Sequence, residues 1–216
     1  MTQTLILDDY WRSSAAYRVR IGLNLKGLDY RSRPVDLRAG DQHAADYRER
    51  NPQGLVPTLE ADGVRLGQSL AILEWLDERF PAAPLLPGDA TSRARIRAVA
   101  QLFACDVHPL NNLRVLNALR TEFSASEDQI LAWTQRWITA GFEAAEALLA
   151  ETAGRFSFGD EPTLADCFLI PQSYSADRFG ADLSGLPVVS RVIANGRAHP
   201  AFAAAHPDRQ PGAPSS

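Results

Sequence analysis

The sequence predicts an α/β domain followed by an all-α domain, and three observations predict it. Up to about residue 82, short extended runs alternate with amphipathic stretches, as expected of an α/β unit. A Pro/Ala-rich stretch, PAAPLLPGDA at residues 81–90, then interrupts the pattern. Beyond it the periodicity is helical over longer segments, with no strand pattern. The expected limits are 1–82 for the first domain, 83–90 for the linker and 91–207 for the helical domain. The polar, proline-containing tail at 208–216 is expected to be disordered.

Taken in order, extended segments are expected at Thr4 to Asp8, Tyr30 to Val35, Pro57 to Glu60 and Val64 to Leu66. Ala61-Asp62-Gly63 joins the last two as a hairpin. Helices are expected at Ser14 to Lys26, Gln42 to Glu49 and Ser69 to Arg79. The resulting order, β-α-β-α-β-β-α with a closing hairpin and a packing helix, is thioredoxin-like. In the second domain Ile130, Trp133, Trp137, Gly141, Ala144 and Leu148 recur at helical spacing and predict one apolar stripe. Thr163-Leu-Ala-Asp166 reads as a capping box that opens a further helix.

Composition excludes several function classes. The chain has 216 residues, 45% of them hydrophobic, enough for a sizeable core. Lys and Arg total 22 against 26 Asp and Glu, and no basic run forms a phosphate-binding stripe, which argues against a nucleic-acid partner. The start, MTQTLILDDYW, lacks a cationic leader, and no stretch approaches the roughly 18 apolar residues of a membrane span, so a cytoplasmic protein without a membrane partner is expected. Cys105 and Cys167 are too few for a disulfide framework and too far apart for a thioredoxin-type pair; both are expected in the core. Cys105-x-x-His108 lacks a second Cys/His pair, so no metal is expected.

Four stretches carry the chemistry. RSSAAYRVR, residues 12–20, joins a strand to a helix whose first turn carries Ser13 and Ser14, where several redox folds place a reactive thiol. Here nothing stronger than a hydroxyl stands there. Either serine can cap the helix, and if one hydroxyl serves one role at a time, the pair can divide capping from ligand contact. In NPQGLVP, residues 51–57, Pro57 is a candidate cis proline. A cis bond would turn the Val56 N–H and C=O outward to hold an extended peptide by strand-like pairing, and an ordinary trans turn is the alternative. Gln68-Ser69 precedes the apolar run LAILEWL, which makes Ser69 an expected N-cap whose neighbouring amides favour a carboxylate. Finally, Pro109 predicts a bend beside His108 in the first helix of the second domain. Helical spacing there puts His108 and Asn112 on one face and makes Asn111 and Arg114 neighbours.

Together RSSAAYRVRIGLNLKG, NPQGLVPTL, GQSLAILEWL and FSFGDEPTLADCFLIPQ resemble the zeta class of cytosolic glutathione transferases, in particular the bacterial glutathione-dependent maleylpyruvate isomerases. The likeness runs from Leu5 to about Phe202. It implies a cytosolic glutathione transferase fold, glutathione as cofactor, a homodimer, and cis-trans isomerisation of maleylpyruvate or maleylacetoacetate in aromatic catabolism. The thiol missing from that turn is then borrowed from glutathione and stabilised as a thiolate at the helix N-terminus. By the same resemblance Ser13, with Ser14 beside it, contacts that sulfur. Gln53, Val56, Pro57, Gln68 and Ser69 hold the peptide part, and His108 and Asn112 reach it from the second domain. Both substrates are dianions, which calls for guanidinium clamps; Arg12, Arg114 and Arg178 are the candidates.

Two departures qualify the likeness. Ala15 stands where zeta enzymes commonly carry the cysteine needed for reductive dehalogenation, which disfavours that reaction and leaves isomerisation intact. Leu113 stands where the isomerase relatives can carry another arginine, so the grip on the acid is expected to differ. The rival readings are a general glutathione-conjugating transferase and a non-catalytic interaction module of the same fold.

Overall fold

The computed structural model describes residues 4–214. By internal contacts the chain divides into one unit running to Leu85 and joined by the segment from His199 onward, and a second unit, Leu86–Ala198.

In the first unit, β1 (Leu5–Asp9) is almost wholly buried, and it pairs on both edges. On one side it runs parallel to β2 (Tyr30–Pro34), a pairing that needs a crossover, here α1 (Ser14–Leu25). On the other it pairs antiparallel with β3 (Thr58–Ala61), which turns back into β4 (Val64–Gly67), giving the order β2-β1-β3-β4. Asp62 and Gly63 both have positive φ, 50° and 79°, the signature of a two-residue hairpin turn whose twist matches the strands. α2 (Ala45–Arg50) follows a 3₁₀ turn, Asp41–His43, so the single helix expected at 42–49 is two short pieces. α3 (Ser69–Arg79) packs on α1, and Gly22 allows the approach, since a Cβ there would overlap the Leu73 side chain. The acidic C-terminal end of β1 is neutralised in place. Asp8 is bonded by both guanidinium arms of Arg33, and Asp9 pairs with the fully buried Arg20 at 2.6 Å.

The second unit contains α4 (Ala90–Gln101), a π-helical turn Leu102–Val107 and a 3₁₀ turn His108–Asn111. α5 (Leu113–Thr121), α6 (Glu127–Leu149), α7 (Leu164–Phe179) and α8 (Pro187–Ala198) follow. α7 is its axis: ten consecutive residues, Leu164–Ser173, are buried, as befits a helix covered all round by α4, α6 and α8. Its start is the expected capping box. The Asp166 carboxylate accepts from the Thr163 N–H at 2.8 Å and hydroxyl at 3.0 Å, and also from the Ser157 N–H at 2.8 Å.

Four expectations are corrected here. The buried stripe of α6 is Ile130, Thr134, Ile138, Gly141, Phe142, Ala145 and Leu149, one residue round from the expected register; Trp133 and Trp137 are half-buried at its edge, and Ala144 and Leu148 are exposed. Wide indoles mislead a periodicity count because they reach the core from a flanking position. The tail is not structureless where it is described. Helix α9 (Pro200–Ala205) packs along α1, a 3₁₀ turn Pro207–Arg209 follows, and Ala213 joins the cluster of Tyr10, Trp11, Val35, Tyr47 and Val56. Residues 199–207 therefore belong with the first unit rather than with a helical domain ending at 207. Residues 215–216 of the expected disordered tail lie outside the described residues. Lastly, Cys167 is buried as expected but Cys105 is exposed, because the π turn carries it to the outer face.

Candidate functional site

The first unit presents two helix N-termini and one peptide-like edge. Tyr10 and Ser13 close a β-turn, the Ser13 N–H donating to the Tyr10 carbonyl at 2.8 Å. Ser13 is then the N-cap of α1, with its Oγ accepting from the Ala16 N–H at 3.2 Å. A hydroxyl has two acceptor sites and one donor, so capping leaves the Ser13 O–H to donate outward. The division of labour expected between the serines is therefore unnecessary: one hydroxyl can cap the helix and serve an anion together. Ser14, the first helical residue, is buried, and the Ala15 N–H has no hydrogen-bond partner among the described residues. Arg12 lies half-buried in the same turn with its guanidinium over the Trp11 ring, 5.3 Å from the centroid.

The Val56–Pro57 bond is cis. The loop that carries it is clamped from behind. The Tyr47 hydroxyl and the Asn51 amide both donate to the Leu55 carbonyl, at 2.6 and 2.8 Å, and both reach Thr58 Oγ1 at 3.1 Å. Within the described residues the Val56 N–H and C=O make no hydrogen bond, which leaves one donor and one acceptor for an extended ligand. Gln53, on the same loop, accepts from Gln68 Nε2 through its side-chain oxygen at 2.8 Å.

Gln68, not Ser69, is the N-cap of α3, and it adopts φ 65°, ψ 115°, a conformation that residues with a side chain rarely take. Ser69 is the first helical residue, buried, its Oγ accepting from Arg18 at 3.2 Å. Cap preference alone named the serine; the β4 ladder ending at Gly67 sets the chain one residue earlier. The structure thus joins Gln53, Gln68 and Ser69 directly, and Arg18 ties the start of α3 to the helix that Ser13 caps. Arg18 was not singled out by sequence reasoning, although two arginines, Arg18 and Arg20, inside an apolar helix were a visible signal.

The second unit departs further from expectation. Pro109 does bend the chain, and more than one bond is affected: the helix passes through a π turn and a 3₁₀ turn and stops at Asn112, φ −72°, ψ 147°. His108 and Asn112 therefore do not share a helical face. Asn112 is the N-cap of α5, accepting from the Arg114 N–H at 3.2 Å. Asn111 is buried and donates to the Val107 carbonyl at 3.2 Å, so it is no surface partner of Arg114. Arg114 is exposed in the first turn of α5, where a cation opposes the helix dipole, and Leu113 beside it is also exposed. Arg178 is exposed in the last turn of α7 with its guanidinium 4.3 Å from the Phe179 ring centroid, a place where a cation suits the dipole. Among the described residues no group of three or more His, Cys, Asp or Glu side chains is placed to hold a metal ion, and no helix is long and apolar enough to cross a membrane.

Residues 12–79 match the family model of the glutathione S-transferase N-terminal domain. A maleylpyruvate isomerase from Ralstonia sp is 49% identical over 208 residues, 95% of this chain and 98% of the relative. The chain belongs to the zeta-class glutathione transferase family. Among solved structures, a maleylpyruvate isomerase described as a bacterial zeta-class glutathione S-transferase in its holo form superposes with a TM-score of 0.94 at 46% identity, covering 98% of this chain and all of that one. A maleylacetoacetate isomerase from Anaeromyxobacter dehalogenans 2CP-1 with glutathione in its active site superposes with a TM-score of 0.89 at 49% identity, covering 99% of each chain.

Proposed function

We propose that this zeta-class protein is a glutathione-dependent isomerase that converts maleylpyruvate or maleylacetoacetate to the fumaryl isomer. One observation carries the reading: the turn that opens α1 offers a serine hydroxyl at the helix N-terminus and contains no thiol of its own, in a chain 49% identical to a maleylpyruvate isomerase. Ala15 supports isomerisation over any reaction that needs an enzyme sulfur in that turn.

The residues present fit glutathione. Its backbone would pair with the Val56 N–H and C=O, and a carboxylate would lie at the α3 start beside Gln68 and Ser69, with Gln53 holding Gln68 in place. When bound, glutathione supplies a nucleophilic thiolate for reversible addition to the cis double bond. Ser13 would donate a hydrogen bond from its O–H to the anionic sulfur while its lone pair keeps the Ala16 amide capped, and the Ala15 amide and the α1 dipole would add to the same field. Arg12, in the same turn, is the first candidate to hold a substrate carboxylate. Arg114, at the α5 start, is the second, because its place there is unfavourable to the helix and asks for an anionic counterpart. Arg178, Ser14, His108 and Asn112 keep the roles that the family resemblance assigns to them. A homodimer acting in the cytoplasm in aromatic-ring catabolism completes the proposal.

Turnover of each acid by the purified protein, followed by product chromatography with and without glutathione, tests it. Glutathione-dependent formation of the fumaryl isomer from either acid supports the reading. Saturable glutathione binding with conjugation of neutral electrophiles and no isomerisation would favour the general transferase, and no saturable binding at millimolar thiol would leave only an interaction module.

A further inference from the structure

In the turn that leads into the Ser13 cap, Tyr10 and Ser13 are the outer residues, and Trp11 and Arg12 are the central pair. The peptide between the two central residues of a β-turn is the one that flips between type I and type II geometry. Arg12 is not among the residues of positive φ, so the turn is not type II. The Arg20 side chain holds that peptide in place. The Arg20 guanidinium donates through one terminal nitrogen to the Trp11 carbonyl at 3.1 Å, through the other to Asp9 at 2.6 Å, and through Nε to the Ala205 carbonyl of α9 at 3.0 Å. It has no exposure to solvent and lies over the Tyr17 ring, 5.4 Å from the centroid.

We propose that Arg20 is a positioning residue for the thiolate site: by fixing the Trp11–Arg12 peptide it sets the direction of the Ser13 hydroxyl and of the Arg12 side chain, and it makes α9 part of that support. The same C-terminal segment also braces α1 and packs on the turn. The Asn24 amide donates to the Ala201 carbonyl at 2.9 Å, the Tyr17 hydroxyl to the Phe202 carbonyl at 3.4 Å, and Ala213 packs against the Tyr10, Trp11 and Val56 cluster. Arg20 does this through geometry and not through charge at the site, because Asp9 neutralises it within the core. The other ionisable neighbours are Tyr30 on β2, pushed up to about 12 by burial, and His206, whose ring meets Tyr17 edge-on at 6.1 Å. Tyr30 stays neutral around pH 7, and burial pushes the Asp9 carboxyl up against the pull of Arg20.

This role rests on the glutathione-dependent reading above. Arg20→Lys separates positioning from neutralisation, since an ammonium can still pair with Asp9 but lacks the rigid fork that serves two carbonyls and a carboxylate at once. Ultraviolet titration of the bound thiol, calorimetric glutathione binding, melting curves and the pH profile of kcat are compared with wild type. A displaced Ser13 hydroxyl should raise the thiol pKa by about half to one pH unit and lower kcat roughly three- to tenfold near neutral pH, with recovery at alkaline pH and glutathione affinity within about twofold. A folded Arg20→Lys protein with a lower melting temperature but an unchanged thiol pKa and pH profile overturns the proposal. If Arg20→Lys does not fold, the double change Asp9→Asn with Arg20→Gln removes both charges of that buried pair and is read in the same way. Failure of wild type itself to bind glutathione overturns the functional reading and this role together; a normal wild type with an unperturbed variant overturns this role alone.

Discussion

Ser13→Ala removes two interactions that separate in the measurement. The Ser13 oxygen caps α1 by accepting from Ala16 at 3.2 Å, and loss of such a cap costs about 1 kcal/mol, which lowers the melting temperature by roughly 2–4 °C for a chain of this size. The outward O–H is assigned to the glutathione sulfur. One hydrogen bond to a charged acceptor is worth roughly 1.5–3 kcal/mol, or about 10- to 150-fold in rate when it acts on the reactive thiolate. Stability should therefore fall modestly, the bound thiol pKa should rise, and kcat should drop well beyond the change in glutathione affinity. Ser13→Thr keeps both groups and should restore all three quantities. The assays are a melting curve, an ultraviolet titration of the bound thiol and steady-state turnover. A variant that melts lower yet matches wild type in thiol pKa and kcat would show that Ser13 only caps the helix, and the same series on Ser14 would then locate the donor.

Two further predictions concern the second unit. Burial pushes the Asp166 carboxyl up from 3.8, so the folded protein holds that proton more tightly than the unfolded chain. Its contribution to stability is full below the unfolded value and fades as pH rises through the folded one. Asp166→Asn must also turn a donor toward at least one of the Thr163 and Ser157 donors, costing about 2–4 kcal/mol; denaturant titrations should show wild type more stable, by a margin that shrinks with rising pH across that window. A margin that widens instead would contradict the assignment. For the cysteines, a thiol reagent should label Cys105 quickly and Cys167 only on unfolding, and the double change Cys105→Ala, Cys167→Ala should keep glutathione-dependent turnover. A thousandfold loss in a folded double variant would make one of these sulfurs catalytic.

The order of elements in the first unit was legible because short-range periodicity and turn residues decide it: the Asp62-Gly63 hairpin, the strand before RSS and the helix from Ser69 all stand where patterning puts them. The candidate site residues of that unit could be named as types in a fixed order. What patterning misses is set by partners distant in sequence. Arg20 is buried because Asp9 and the carbonyl of Ala205, 185 residues away, satisfy it, and no local pattern announces that. The C-terminal segment looks polar and loose until Trp11 and Val35 give it an apolar surface to cover. At Pro109 the defect was visible but its extent was not, since one missing N–H can be absorbed by a kink or, as here, by a π turn, a 3₁₀ turn and a full stop at Asn112. The slipped stripe on α6 has the opposite cause: Trp133 and Trp137 are apolar enough to count, yet sit beside the buried row.

On the proposed mechanism the protein positions a thiol that its own α1 turn lacks. S-methylglutathione keeps the peptide and both carboxylates of glutathione and lacks only the ionisable sulfur, so it tests the claim directly. The protein should bind both peptides through the Val56 edge and the α3 start with affinities within about tenfold, which corresponds to about 1.4 kcal/mol. It should isomerise the maleyl acid with glutathione alone, at a rate that rises with the fraction of bound thiolate. Isomerisation sustained by S-methylglutathione, or by the protein without any thiol, would contradict the account.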